Sequence, residues 1–353
     1  MEIKKLYKTL TLVAALAVTG FAIAENATAQ TSVPSPRFRN QPLEEPEATA
    51  PFAELGSFQY DAQVFAPLEF TNGKQIEPHC GFFFTFDKTY LSIGGGNVSS
   101  DGFQTVTPGG DYQWGNRYEL GYFTDDNQGW DLVYLNSEGI TFVNGQDTLV
   151  ANPTLVTTKF NSFELNKIFR QEISDGRYFE PYLGLRYLGV SDSTIEDTQV
   201  VIGGVTFDNR FVQRATNNAG GIHAGAKFNR RSGRFRSTFD ASLATTYNQR
   251  NYFASDIITN QVTGTIGVSE SSDSESGFVP ALDASYEVSY NVTRDIAFRS
   301  GVTALYLWDG ITRVNTLPTP LNPNSAIGGG GDIGIIDDSI TVVGFTFGFE
   351  WRR

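Results

Sequence analysis

A chain of 353 residues with a net charge of −13 is too acidic to hold a nucleic-acid backbone by general electrostatic attraction. Its one cysteine, Cys80, excludes an intramolecular disulfide, so an exported form needs another source of cohesion, such as a closed hydrogen-bonded sheet. Thirty-six glycines, 13% aromatic residues, one methionine and few apolar runs of helical period give an all-β composition.

Lys4, Lys5 and Lys8 precede an apolar run from Leu10 to Ala24 that ends in small residues, the pattern of a cleaved secretory signal peptide. Ala22-Ile23-Ala24 and Ala27-Thr28-Ala29 both offer cleavage sites; the second makes residues 1–29 the signal and Gln30 the first mature residue. Removing Glu2, Lys4, Lys5, Lys8 and Glu25, a net +1, takes the charge from −13 to −14. Neither site precedes a cysteine, so no lipid anchor is expected. The run is shorter than the roughly 20 apolar residues of a membrane helix, and no later segment approaches that length. Residues 30–51, rich in Pro, Ser, Glu and Ala without period, read as a flexible periplasmic leader that extends to residue 79. Within it, residues 52–70 are mixed and fit an extra strand, a plug or a tether.

From residue 80 to 353 a single domain is expected, built from ten alternating segments: 82–93, 114–124, 129–136, 157–169, 177–189, 219–229, 234–248, 278–291, 295–308 and 338–351. The links alternate in length. Those at 125–128, 170–176, 230–233 and 292–294 are short, whereas those at 94–113, 136–156, 190–218, 249–277 and 309–337 are long. Both ends therefore fall on the short-turn side. This rhythm predicts a transmembrane antiparallel up-and-down β-barrel of ten strands, or twelve if residues 52–70 contribute two.

Successive side chains on a strand point to opposite sides, so each segment assigns two faces. One face is apolar, with Tyr118, Leu120 and Tyr122, then Leu183, Leu185 and Tyr187, then Phe345, Phe347 and Phe349 as examples. Tyr286, Ala304 and Tyr306 fall on the same face. The opposite, lumen-facing set is Arg117, Glu119, Glu164, Glu180, Arg186, His223, Lys227, Arg236, Asp240, Asp283, Glu287, Arg299 and Glu350. Five cations and seven carboxylates at that density are expected to pair. Trp114 and Trp308 lie at the long-loop end and Trp130 and Trp351 at the short-turn end, where two bilayer interfaces would hold such rings. In the first segment Lys88 falls among Phe82, Phe84 and Phe86, and a β-bulge would restore the register.

Several stretches resemble the beta-barrel porin family of the planctomycete type. They are RYELGYFTDDNQGWDLVYL (117–135), PYLGLRYLGVSDST (181–194), the stretch 217–249, the stretch 278–308 and the closing FTFGFEWRR (345–353). The resemblance covers most of the chain from residue 80 and implies an outer-membrane barrel with a pore. The closing Arg352-Arg353 departs from the terminal aromatic that such barrels present to the assembly machinery.

Other motifs carry less chemistry. His79 beside Cys80 lacks an orienting third group, and no catalytic residue, cofactor or metal is expected. His223 sits mid-strand and reads as a lumen hydrogen-bonding group. Asp125-Asp126-Asn127 reads as a turn made tight by Gly129 rather than a calcium loop. Gly328–Gly331 lacks the lysine and helix of a phosphate loop, and the acidic run 269–276 (SESSDSES) reads as a solvated outer loop.

The expected role is porin-like passive diffusion of small hydrophilic solutes through the outer membrane, with cations preferred if the lumen is open. A closed structural or adhesion-type barrel displaying long surface loops is the alternative, because a ten-stranded barrel lies near the width that side chains fill. A soluble all-β periplasmic binding protein is the third. Expected partners are outer-membrane lipid, the barrel-assembly machinery during insertion, and small solutes or cations, with no nucleic acid.

Overall fold

The computed structural model describes residues 80–95, 112–144, 153–174, 176–202, 204–314 and 337–353. The expected signal peptide, the leader with residues 52–70, His79 and the glycine run 328–331 lie outside the described residues.

Eleven strands follow one another: β1 (Gly81–Gly95), β2 (Tyr112–Phe123), β3 (Gln128–Asn144), β4 (Pro153–Phe169), β5 (Gln171–Ser174), β6 (Arg177–Ile202), β7 (Val205–Ser232), β8 (Phe235–Asn260), β9 (Ile266–Asn291), β10 (Ile296–Thr312) and β11 (Asp337–Arg352). The four-residue β5 continues β4 past Arg170 and pairs with the foot of β6. The other ten each lie antiparallel to their neighbours in sequence. With β4 paired directly to β6, the one further pairing, β1 with β11, leaves no edge. The fold is a closed antiparallel up-and-down barrel of ten strands. At the seam the described ends meet: Phe82 and Arg353 exchange backbone hydrogen bonds of 2.7 and 2.8 Å. Arg352 ends β11 and is ion-paired with Glu350, and Arg353 stays beside β1 through its backbone bonds with Phe82.

Local chemistry sets the turns. Between β2 and β3, Thr124 N and Oγ1 both donate to Gln128 O (2.7 and 3.0 Å), and Asn127 takes the left-handed conformation at φ 59°. The tight residue of that turn is thus Asn127, not Gly129, which lies within β3. Gly233, at φ 57°, opens the two-residue link between Ser232 and Phe235. At the β8–β9 tip the Asn260 side chain accepts from Val262 N and Thr263 N at 2.8 and 3.1 Å.

The strands outrun the sequence reading mostly at the long-loop end, with smaller extensions at the other, where β5 lies in the link expected at 170–176 and β7 runs on to Ser232. Residues 190–218 and 249–277, expected as loops, are the upper halves of the β6–β7 and β8–β9 hairpins, paired without interruption to Ile202↔Val205 and Thr259↔Ile266. The acidic run 269–276 is therefore part of β9, held against β8. Its own propensity for strand is low, and the ladder with β8 overrides it. Hydrogen bonds between side chains support that ladder: Tyr247 with Ser276 (2.7 Å), Ser274 with Asn251 (2.9 Å) and the ion pair Arg250–Glu275 (2.6 Å).

The first strand needs no bulge. β1 pairs in unbroken register with both β2 and β11, and Lys88 stays on the outer face. Its Nζ reaches 3.0 Å from Asn116 Oδ1 and lies 6.0 Å from the Trp114 ring, so the charge leans toward the long-loop end while the stem covers apolar surface. That outer face is otherwise apolar: Phe82, Leu120, Trp130, Leu183, Leu185, Ile222, Leu243, Phe298 and Phe345 are each more than half exposed. Tyr286, Ala304 and Tyr306 lie on this outer face by register, as expected, although each is less than a tenth exposed.

Candidate functional site in the barrel interior

The inward residues form layers that follow from strand register. At the short-turn end Arg170 binds Glu180 at 2.5 Å and stacks over Phe123, with guanidinium and ring centroid 3.7 Å apart. Glu350 pairs with Arg236 from β8, which also reaches Ser289 at 3.3 Å. A cavity of about 90 Å³ lies between these groups and the next layer, room for a few water molecules.

Above it sits an ionic belt. Arg117 contacts Asp87, Glu119 and Glu287 at 3.4, 3.2 and 3.0 Å. Arg299 lies 3.2 Å from Asp87, donates to Thr85 and pairs with Glu287. Lys227 bridges Glu119 and Asp131 at 3.2 and 3.0 Å, and Arg186 bridges Glu164 and Asp283 at 3.2 and 2.9 Å. Tyr182 donates to Asp240 at 2.8 Å. Most of these contacts join strands that are not neighbours in the wall, such as β2 with β9, β7 with β3 and β6 with β9. They are braces across the lumen. Charges withdrawn from water are tolerable only when paired and hydrogen-bonded, and each cation here meets two or more carboxylates.

His223 Nε2 lies 2.5 Å from Asn166 Oδ1, an acceptor, so Nε2 carries the proton in that bond. The ring meets Tyr182 edge-on at 5.6 Å. It faces an amide and a phenol rather than a nucleophile. Gly184 makes room for the pair: a Cβ there would fall 2.1 Å from Asn166 Oδ1 and 2.4 Å from the Leu165 carbonyl.

All thirteen lumen-facing residues named from the sequence lie on the inner wall, and all except His223 take part in the belt or in the ion pairs beneath it. Sequence reasoning left out Asp87, Asp131, Tyr182 and Arg170. Asp87 was missed because Lys88 cast doubt on the register of β1, whereas Asp131 lies inside the expected segment 129–136, opposite the face of Trp130 and Leu132, where parity alone signals it.

The larger omission lies toward the long-loop end, where the inner wall turns apolar. Leu91, Ile93, Phe160, Leu188, Val190, Leu307 and Ile340, each at most 1% exposed, meet with Leu305, Val342, Val279 and the small Ala219, Ala244 and Ala281 in one packed cluster. This septum fills the barrel above the belt, with a second cavity of about 80 Å³ between the two layers. Its signal is present in the sequence as places where alternation lapses into continuous apolar runs, Ala304 to Trp308 and Ile340 to Val343 with Thr341 between.

The end of β10 closes the top. After a register shift beyond Leu307, Gly310 adopts φ 109°, and Ile311, Thr312, Arg313 and Val314 are buried. Asn217 of β7 accepts from Thr312 N and donates to Thr312 O (2.8 and 2.7 Å), Asn248 of β8 donates to Gly310 O (2.8 Å), and Arg313 pairs with Asp192 of β6. Strands on opposite sides of the barrel are thereby joined over the septum.

The four tryptophans sit at the strand ends on the outer face. Trp114 packs with Tyr90 (4.6 Å), Trp308 with Tyr306 (5.0 Å), and Trp130 lies under Lys167 (5.0 Å). Trp351 pairs in register with Phe84 and Ile296.

No family model and no curated protein matches the chain, so the likeness to the porin family stays a resemblance. Among solved structures, the outer membrane protease OmpT from Escherichia coli is similar with a TM-score of 0.45 and 7% identity, over 77% of this chain and 97% of that one. Neisserial surface protein A gives a TM-score of 0.28 and 13% identity, over 78% and 100% of the two chains. The Pseudomonas putida toluene transporter TodX gives 0.27 and 8%, over 77% and 89%. These scores lie below 0.5, and nothing about substrate or activity is carried from those proteins to this chain.

Proposed function

We propose that the chain spans a bacterial outer membrane as a sealed β-barrel and serves as a platform that presents the β6–β9 hairpins beyond the bilayer. The observation that carries this reading is the apolar septum, fully buried and spanning the lumen above a belt of cross-braced ion pairs. A hydrated pore needs a continuous polar path, and a packed aliphatic layer interrupts one. Passive diffusion and cation preference both require an open lumen, so the closed alternative is the better supported.

The membrane setting is supported by the exterior. In β1 the outward row from Phe82 to Tyr90 spans nine residues, close to the roughly 9–11 that a tilted strand needs to cross a bilayer. In water, a band of exposed Leu, Ile and Phe encircling the molecule would be an aggregation surface; in lipid it is the solvent-matched face. The expected signal peptide and the meeting of the described ends at the short-turn rim fit a periplasmic short-turn side and an outward-facing hairpin side.

Planar-bilayer recording of the refolded protein tests the proposal. The expected result is a silent bilayer from protein whose unboiled form migrates differently from the boiled form on a denaturing gel. Reproducible conductance steps from that folded form would overturn it in favour of diffusion.

A further inference from the structure

The upper half of β9 has a neighbour on one side only. β10 accompanies β9 as far as the pair Leu307↔Ala281, then bends inward over the septum at Gly310 and leaves the wall. β8 stays with β9 to the tip, in unbroken register to Thr259↔Ile266. Among the described residues, none pairs with residues 266–277 on the side that β10 vacates. Residues 266–276 are all exposed, so both faces of the strand are open, and a Cβ added at Gly277 would meet nothing within 4 Å. The opposite edge of the hairpin sheet, on β6, is without a described neighbour only over the shorter stretch 197–202.

An edge strand turns a row of N–H and C=O groups away from its one partner, a template for a further strand. Proteins blunt such edges with lysines, prolines, bulges or a covering element. Residues 266–277 hold no Lys, Arg or Pro, and their register with β8 has no bulge. Charge is the one device present, and it has a single sign. By strand alternation Glu270 stands on the outer face with Ile266 and Val268, and Asp273 and Glu275 stand on the inner face. From 249 to 276 the β8–β9 hairpin carries these three carboxylates and Asp256 against the one cation Arg250, which pairs with Glu275 at 2.6 Å. On the outer face of β7, Arg210 is matched by Asp197 at 3.8 Å, and the exposed Arg214 is separated from β9 by the width of β8.

A second copy of this strand laid on the edge would bring carboxylates against carboxylates, which is unfavourable. A strand with Lys or Arg at alternate positions meets the same row with matched charge. We propose that the free edge of β9 over residues 266–277 is a docking site for an extended cationic segment of another protein, which adds as a further strand beside β9. Its basic side chains lie opposite Asp273 and Glu275 on one face, and an apolar side chain on the other meets Val268, which is 59% exposed. The inference rests on the reading of the hairpins as a platform that projects from the membrane.

The test adds a labelled synthetic peptide of alternating Lys and Thr to the full chain folded in uncharged detergent, with binding followed by fluorescence anisotropy and by amide hydrogen exchange. The peptide binds and slows exchange within residues 266–277. The double variant Glu270→Gln, Asp273→Asn, which leaves the Arg250–Glu275 pair in place, binds it about fivefold more weakly. Absence of binding, protection confined to other strands, or undiminished affinity in the double variant would each overturn the proposal. So would equal binding by a Glu–Thr peptide, or by the Lys–Thr peptide with every backbone nitrogen methylated, which keeps the charge and loses the donors. A folded, electrically silent protein that ignores the peptide overturns this inference alone. Conductance steps from protein that binds the peptide as described would support it and overturn the sealed barrel instead.

Discussion

Lys227 shows how a single side chain acts in this interior. Its ammonium lies between Glu119 of β2 and Asp131 of β3, with the Tyr182 ring 5.8 Å away. Lys227→Met leaves two carboxylates without that cation, and removing one partner of a buried pair costs about 3–5 kcal/mol. A lower temperature for conversion of the folded gel band is the expected outcome. Adding Asp131→Asn to that variant should restore part of the loss, because the deserted charge goes with it. A Lys227→Met variant as stable as the wild type would mean that the belt is hydrated. These residue roles were largely legible, since strand parity alone put Lys227, Glu119 and Arg186 on one wall. Who pairs with whom was not, because barrel closure brings β7 across to β2 and β3.

The septum and the hairpins are properties of elements, and alternation in the sequence hides both for a physical reason. Alternation identifies a strand when one face is apolar and the other polar. Where the inner wall is apolar too, as around Leu188 and Val190, the pattern degrades although the strand continues. In the hairpins the pattern weakens in the opposite sense, because much of both faces is polar. Phe160 is a fully buried aromatic ring of the septum, and Phe160→Ala is expected to cost about 3–5 kcal/mol, measured by denaturant unfolding. The hairpins are expected to be dispensable for the barrel. Because Glu196 and Phe211 are register partners, replacing residues 197–210 by Asn-Gly retains the register with a two-residue turn. The shortened protein should keep its heat-dependent gel shift; loss of the folded band would show that the upper hairpin stabilises the barrel itself.

At the scale of the whole molecule, the belt and the septum divide the work of filling the lumen. The belt contains seven carboxylates, Asp87, Glu119, Asp131, Glu164, Asp240, Asp283 and Glu287, against the cations Arg117, Arg186, Lys227 and Arg299. Its polarity resembles the lining of a pore, but the expectation of diffusion came mainly from the resemblance to the porin family, which implies a pore. The septum reverses that judgement. Arg186→Ser removes a brace to Glu164 and Asp283 yet leaves the apolar layer in place, so the variant should be less stable and still electrically silent. Current through it would show that the braces, not the septum, hold the barrel shut.

The cross-lumen braces also determine what happens to a chain cut in two. Opening the turn at Gly233 would give one piece holding β1–β7 and another holding β8–β11. The first keeps Lys227 with Glu119 and Asp131, but its Arg186 and Arg117 are parted from Asp283 and Glu287; the second keeps Arg299 with Glu287 but not with Asp87. Neither is a smaller barrel. Each is a trough whose inner wall displays half of a charge pattern, and only one alignment of the two troughs completes it. The ionic interior is thus an address by which each half of the cylinder recognises the other.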